Sequence, residues 1–336
     1  MLVILHPECT VAQASAVEDT IRKLGFQPIP VPGPSRTAIC VTGNKGPVDP
    51  APLARLPGVV DTISVTRPYK LVSRETRQED TVVRVGDVEI GGSCAPVLIA
   101  GPCSVETEAR TVAIAEAVAK AGAKLFRAGA FKPRTSPYDF QGLGREGLRT
   151  LVQVREATGL GIVSEVIDAQ DVAVMAEHVD VLQVGARNMQ NFTLLRALAE
   201  VERPILLKRS PSATLQEWLM AAEYLLAGGN GNVILCERGI RTFGNHARNT
   251  LDLNVVPAVR ELSHLPVLVD PSHGIGRRDR VRAMARAGLA AGAHGLIVEA
   301  HTDPDTAYTD AQQTVSVETI RGIAEDAAVL ASLERA

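Results

Sequence analysis

Apolar positions along this chain fall into two regimes. Up to Val65, short apolar runs flank one helical pattern. Met1–Leu5, Pro28–Pro32, Thr37–Thr42 and Val59–Val65 predict strands. Val11–Leu24 predicts a helix, because Val17, Ile21 and Leu24 share one face and Gly25 ends the pattern. Pro50–Leu56 predicts a second, weaker helix. The order β-α-β-β-α-β predicts a small ferredoxin-like α+β domain over residues 1–66. Arg67–Asp80, RPYKLVSRETRQED, is charged and poor in apolar residues, which places a domain boundary there. Residues 67–96 are then a linker and a hairpin, Val82–Ile90, turning at Gly86-Asp87.

Beyond Val97 the pattern changes to a repeated unit of apolar run, turn and amphipathic stretch. The runs are Val97–Ala100, Lys124–Arg127, Gly161–Ser164, Val181–Val184, Ile205–Leu207, Val233–Leu235, Val267–Val269 and Gly295–Val298. Helical stretches between them include Glu106–Ala121, Arg145–Thr158, Ala169–Glu177, Thr214–Ala227, Asp279–Ala291 and Val315–Ala331. Such a succession predicts a closed (β/α)8 TIM barrel over residues 97–336. An open doubly wound sheet is the alternative, but no GxGxxG follows the first run. Chemically active side chains follow every run: Cys103, Arg127, Glu165, Gln183 with Arg187, Lys208, Glu237 with Arg238, Asp270 with His273, and Glu299 with His301. Barrels of this kind carry their chemistry on the face where those positions fall.

Composition narrows the class. Aromatic residues are only 3% of the chain against 46% apolar, so the core must be aliphatic. A net charge of −3 with no basic tail argues against nucleic acid as a partner. The 5 cysteines form no CxxC pair, which disfavours a disulfide framework or zinc ribbon and fits a reducing, cytoplasmic setting. The start MLVILHPE predicts no signal peptide, and no apolar stretch approaches a membrane span.

Against that acidic balance, Leu125–Gly144 (LFRAGAFKPRTSPYDFQGLG) releases Arg127, Lys132 and Arg134 after a strand, on a loop stiffened by Gly129 and Pro133. Such a loop suits phosphate or carboxylate. With Arg187, Lys208 and Arg238, it predicts a mouth for a small substrate carrying both anions, and Arg134, Thr135 and Ser136 form a second donor set. At the rim, Cys103, His273, Glu299 and Asp310 can converge if the first, seventh and eighth strands are neighbours. Thiolate, imidazole and two carboxylates suit a first-row divalent ion. Taken singly, each of these residues is more often structural, and the lysines leave a Schiff-base route open.

Several motifs resemble one family. IAGPCSVE (Ile99–Glu106), RAGAFKPRTSPYDFQGLG (Arg127–Gly144), GARNMQNFTLL (Gly185–Leu195), LLKRS (Leu206–Ser210), ILCERGIRTF (Ile234–Phe243), DPSHGIGRRDRV (Asp270–Val281) and GLIVEAHTDPDTAYTDAQQ (Gly295–Gln313) look like 3-deoxy-D-arabino-heptulosonate 7-phosphate (DAHP) synthases of the type I-beta subgroup. The segment KPRTS separates them from the 3-deoxy-manno-octulosonate 8-phosphate synthases, which resemble KANRSS there. The front module resembles the ferredoxin-like regulatory domain of some subgroup members.

The resemblance implies condensation of phosphoenolpyruvate with D-erythrose 4-phosphate and water, opening the shikimate pathway. It implies a metal held by Cys103, His273, Glu299 and Asp310, with Mn²⁺ the first expectation and Fe²⁺, Co²⁺ or Zn²⁺ as alternatives. Arg127, Lys132, Arg187, Lys208 and Arg238 would hold phosphoenolpyruvate. Arg134, Thr135 and Ser136 would hold the sugar phosphate, with Asp270 near its hydroxyls. Lys132, Cys103, His273 and Asp270 are the expected catalytic set; Lys132 would donate a proton and Glu165 or His301 would manage water. A homo-oligomer, dimer or tetramer, is implied, with an aromatic amino acid as effector. The chain departs from that pattern at Gln27-Pro-Ile-Pro-Val-Pro, which offers few donors to a polar ligand. A metal-independent Schiff-base aldolase and a non-catalytic sugar-phosphate sensor are the alternatives of other classes.

Overall fold

A computed structural model of the chain describes residues 1–32, 37–44, 46–65, 67–133, 136 and 138–333. Arg134 and Thr135 lie outside the described residues. The chain divides into two compact units, Met1–Glu79 with Leu262–His264, and Asp80–Glu261 with Leu265–Ala336.

In the first unit β1 (Leu2–Leu5), α1 (Val11–Lys23), β2 (Gln27–Pro32), β3 (Thr37–Thr42), α2 (Ala51–Ala54) and β4 (Val59–Ile63) follow the expected order. The sheet runs β2-β3-β1-β4 with antiparallel neighbours, as a ferredoxin-like module requires. Thr10 starts α1 through a reciprocal capping box with Gln13. Val17 and Ile21 then bury against Val3, Leu5, Ile39 and Val41. Pro28, Pro30 and Pro32 alternate along β2, which among the described residues pairs only with β3. On such an edge a missing N–H costs no ladder bond.

The second unit opens with the hairpin β5 (Val83–Val85) and β6 (Val88–Ile90). Eight parallel strands follow: β7 (Val97–Gly101), β8 (Leu125–Arg127), β9 (Gly161–Val166), β10 (Val181–Val184), β11 (Ile205–Lys208), β12 (Val233–Glu237), β13 (Val267–Val269) and β14 (Gly295–His301). Each pairs with the next, β14 pairs with β7, and β13 with β14, so the barrel closes. Outside it stand α3 (Glu108–Lys120), α4 (Arg145–Thr158), α5 (Val172–His178), α6 (Phe192–Ala199), α7 (Leu215–Ala227), α8 (Val255–Leu262), the short α9 (Pro271–Ile275), α10 (Arg278–Ala290) and α11 (Val317–Leu333). Contacts of α11 with α3 complete the ring.

The barrel is filled rather than hollow. Val97, Ile99, Leu125, Val163, Val181, Leu206, Ile234, Cys236, Leu268 and Ile297 pack inside it, and Val83, Val85 and Ile90 of the hairpin join the same cluster. The hairpin therefore belongs with the barrel. Packed aliphatic side chains leave the opposite, carboxyl-terminal end as the place where polar groups can face a cavity. Among the described residues no helix is long and apolar enough to cross a membrane.

Candidate metal and substrate site

The inward-facing positions of the strands explain how the site is built. Side chains alternate between the two faces of a strand, so the residue two places beyond an interior apolar residue also points inward. Leu125 is followed in this way by Arg127, Val163 by Glu165, Val181 by Gln183, Leu206 by Lys208, Cys236 by Arg238, Leu268 by Asp270 and Ile297 by Glu299. Apolar residues fill the barrel, and the next inward position on each strand supplies a polar ring on top of them. Beyond β7 the same parity passes through Gly101 to Cys103.

A cavity of about 490 Å³ opens over this ring. It is lined by Cys103, Arg127, Lys132, Glu165, Gln183, Arg187, Lys208, Arg238, His273 and Asp310, together with Arg241, Arg248 and Asn249. Glu165 packs beneath Gly185, where a Cβ would stand 2.0 Å from its Oε1; only glycine allows that approach.

Ligand atoms of Cys103, His273, Glu299 and Asp310 all lie within 4.8 Å of one another. Bonds of about 2.0–2.3 Å to a divalent ion place opposite donors about 4.0–4.6 Å apart, so the set fits one ion with little adjustment. The donor chemistry points the same way. Burial lowers the His273 pKa, although Asp270 and Glu299 pull the other way. Burial also opposes the charge on Asp270, but His273 and Lys208 hold its pKa well below the usual carboxylate range. A neutral imidazole therefore gives its Nδ1 proton to Asp270 Oδ2 at 2.8 Å. Its Nε2 is left with a lone pair, 3.2 Å from Glu299 Oε1. Two acceptors facing each other at that distance suit a cation between them. Burial, with the Glu299 charge, pushes the Cys103 thiol up to about 12, so its ionisation calls for a bound cation.

Three cations of the chain border the set, Arg248 with its Nη1 3.7 Å from Asp310 Oδ1. Lys132 Nζ meets Cys103 Sγ and lies 3.2 Å from Asp310 Oδ2. Arg127 Nη1 lies 3.3 Å from Glu299 Oε1. Burial works against the Lys132 ammonium, but Cys103, Glu299 and Asp310 hold its pKa above the ordinary lysine range. The Nε of Arg127 is buried without a hydrogen-bond partner among the described residues, leaving a donor for an incoming acceptor. Lys208 is bound to Asp270 Oδ2 in the same layer.

Not every expected residue reaches the cavity. Asp270 has 0% side-chain exposure and lies behind His273, with both oxygens engaged by His273 and Lys208. It is the N-cap of α9: Oδ1 accepts the His273 N–H, and Pro271 takes the first helical position. His301 is buried against Glu106, away from the cavity lining. Ser136 Oγ accepts the Tyr138 N–H, and Ser136 does not line the cavity. Residues without an assigned role also enter. Gln313 Nε2 donates to Glu299 Oε2 at 2.7 Å while its Oε1 accepts from Arg248 at 2.9 Å. Ser272 Oγ accepts the Glu299 N–H at 3.0 Å. Gln313 lies inside a motif read from the sequence, but nothing local marks it as the support of Glu299.

Fold and site together define a barrel enzyme with a cation-lined cavity beside four side chains that could hold a metal ion. Residues 72–332 match the DAHP synthetase I family, and residues 1–67 match the DAHP synthase ferredoxin-like domain. The chain is 43% identical over 331 residues to the phospho-2-dehydro-3-deoxyheptonate aldolase of Thermotoga maritima, covering 98% of each. It is 33% identical over 257 residues to the 2-dehydro-3-deoxyphosphooctonate aldolase of Syntrophotalea carbinolica, covering 71% of this chain and 92% of that one. The crystal structure of the Thermotoga maritima aldolase, a DAHP synthase, superposes with a TM-score of 0.78 at 42% identity, over 99% of this chain and 97% of that one. The chain belongs to the DAHP synthetase I family.

Proposed function

We propose that this enzyme condenses phosphoenolpyruvate with D-erythrose 4-phosphate and water, giving DAHP and phosphate, the first step of the shikimate pathway. One observation carries the reading: four ligand atoms within 4.8 Å of one another stand beside Arg127 and Lys132 in a cation-lined cavity. The full-length likeness to a phospho-2-dehydro-3-deoxyheptonate aldolase supports it over the shorter likeness to the octonate enzyme.

In this reading Arg127, Lys132, Arg187, Lys208 and Arg238 hold the carboxylate and phosphate of phosphoenolpyruvate. Arg134 and Thr135 take the phosphoryl group of the sugar; Ser136, outside the cavity lining, is left without that role. Cys103, His273, Glu299 and Asp310 hold the divalent ion, Mn²⁺ in first place. A bound ion supplies Lewis-acid polarisation of the aldehyde. The enol carbon of phosphoenolpyruvate then bonds to the aldehyde carbon, and Lys132 gives a proton to the oxygen that becomes a hydroxyl. Glu165 orients the water that adds at the adjacent carbon and takes a proton from it. The carbon–oxygen bond to phosphate then breaks as the new oxygen becomes the ketone, and its remaining proton leaves with the phosphate. The cations stabilise the anionic groups throughout. Asp270 serves the set by holding His273 and Lys208.

A Schiff-base aldolase needs a neutral lysine. Lys132 is held as an ammonium and Lys208 is bound to Asp270, which favours the metal route. Residues 1–66 are assigned as an assembly module of a homodimer or homotetramer, 67–96 as linker and hairpin, and 97–336 as the catalytic barrel of a cytoplasmic enzyme. An aromatic amino acid effector is the second reading of the module, supported by the match of residues 1–67.

The deciding experiment follows phosphate release with phosphoenolpyruvate and several aldose phosphates, each with and without chelator. Turnover with erythrose 4-phosphate that vanishes on chelation is expected. Preference for a five-carbon aldose phosphate, or chelator-resistant turnover trapped by borohydride, would reassign the enzyme. A rate that falls with tyrosine or phenylalanine would restore the effector reading.

A further inference from the structure

Of the four candidate metal donors, Asp310 stands farthest from a barrel strand, nine residues past the end of β14. It follows segment 302–309, which leaves β14 and contains a single 3-10 turn, Pro304–Thr306. It is also the one non-glycine residue among those described with a positive φ, 54°. Aspartate enters that left-handed region more readily than most L residues, and here the segment before it is held from several sides.

Several side chains outside the segment hold it, Arg278 among them with Nη1 2.8 Å from Asp305 Oδ1. His301 Nδ1 accepts the Asp303 N–H at 2.8 Å. Arg110 Nη2 donates to the Thr306 carbonyl at 3.1 Å and to its hydroxyl at 2.8 Å. Glu106 Oε1 accepts the Tyr308 N–H at 2.9 Å. Ser104 and Thr309 pair through their hydroxyls at 3.0 Å. Glu106 joins the others: its second oxygen lies 3.0 Å from Arg110 Nε and 3.4 Å from His301 Nε2. Because His301 Nδ1 accepts, its proton sits on Nε2 and faces that carboxylate. Glu106 and His301 each keep 1% side-chain exposure, so the bonds are shielded from water. Arg110 lies 5.2 Å over the Tyr308 ring, which meets Phe140 edge-on at 5.9 Å. Glu106, Arg110 and His301 do not line the cavity.

We infer that Glu106 is a positioning residue for Asp310: by holding the Tyr308 N–H, Arg110 and His301 at once, it keeps the fourth donor turned toward Cys103, His273 and Glu299. This rests on the metal reading proposed above. Loss of the Glu106 charge frees the backbone two residues before Asp310, and the left-handed turn relaxes. Metal affinity then falls although no donor atom has changed.

The test uses the full-length protein stripped of metal, with Mn²⁺ binding measured by calorimetry. Glu106→Gln is expected to weaken binding about tenfold to a hundredfold. Arg110→Gln should act in the same direction, and, with Arg110 35% exposed, it carries the comparison if the Glu106 variant does not fold. In an Asp310→Ala background either change should add less than about twofold, since their effect runs through that carboxylate. Circular dichroism of the metal-free variants should match the parent. Affinity unchanged in the variant that folds, or an equal loss with and without Asp310, would overturn the inference. Asp310→Ala that binds Mn²⁺ like the parent would sink the metal reading with it. Weakened Asp310→Ala beside unchanged Glu106→Gln would sink only the positioning role.

Discussion

Asp270 holds His273 at two points, accepting the backbone N–H on Oδ1 at 2.9 Å and the imidazole Nδ1–H on Oδ2 at 2.8 Å. One carboxylate thus caps a helix, selects a tautomer and aims Nε2 at Glu299. Asp270→Asn keeps the shape but can present an N–H to Nδ1. The resulting ring would turn or carry its proton on Nε2. Mn²⁺ affinity is expected to fall about tenfold to a hundredfold, measured by calorimetry on metal-free protein. Equal affinity in the two proteins would remove this role.

Cys103 supplies the one sulfur of the set. Chelation of the parent should stop phosphate release, and added Mn²⁺ should restore it. Cys103→Ala is expected to lose metal-dependent turnover under the same assay. Full activity of that variant after chelation would take the ion out of the reaction.

Arg127 keeps a buried Nε–H without a partner among the described residues while its Nη1 meets Glu299, and in the proposed reading that N–H meets the substrate. Arg127→Lys preserves charge but removes the planar fork. A charge-assisted hydrogen bond contributes about 1.5–3 kcal/mol. The expected loss in kcat/KM for phosphoenolpyruvate is therefore about tenfold to a hundredfold. Steady-state kinetics at saturating sugar phosphate measure it, and a parent-like value would count against substrate contact.

Asp326 on α11 accepts from Arg282 and Arg286 of α10, with Nε distances of 2.7 Å and 2.6 Å. These bonds hold its carboxyl at about 2, below its ordinary value of 3.8, despite partial burial. A depressed folded-state pKa gives stability that is present above the unfolded value and lost as pH falls through the folded one. Asp326→Asn should therefore cost about 1 kcal/mol near neutral pH, after allowance for solvent screening. Denaturant titrations should show the gap closing as pH falls from about 4 towards 2. A gap independent of pH would mean that shape, not charge, joins the two helices.

Barrel strands buried on both faces read as continuous apolar runs, so the eight runs from Val97–Ala100 to Gly295–Val298 correspond to β7–β14 within a few residues. Short helices were harder to see. Val255–Leu262 reads VVPAVREL, with β-branched residues and a proline, although Pro257 falls in the first turn where it is tolerated. Pro271–Ile275 is too short for any period to register. The cations Arg127, Lys208 and Arg238 and three of the candidate donors, Cys103, His273 and Glu299, are legible as residues at strand ends; Asp310, nine residues past β14, is not.

The chain's own order of residues determined which strands exist and which side chain each delivers at its carboxyl end. A run's length and the inward position two places beyond its buried residue are local properties. Only the tertiary structure decided who supports whom. Gln313 under Glu299, Asp270 behind His273 and Glu106 beneath the Tyr308 backbone are contacts between chain segments that closure of the barrel brings together. The strand order that sets β13 and β7 on either side of β14 creates those neighbours, and no periodicity along the sequence encodes them.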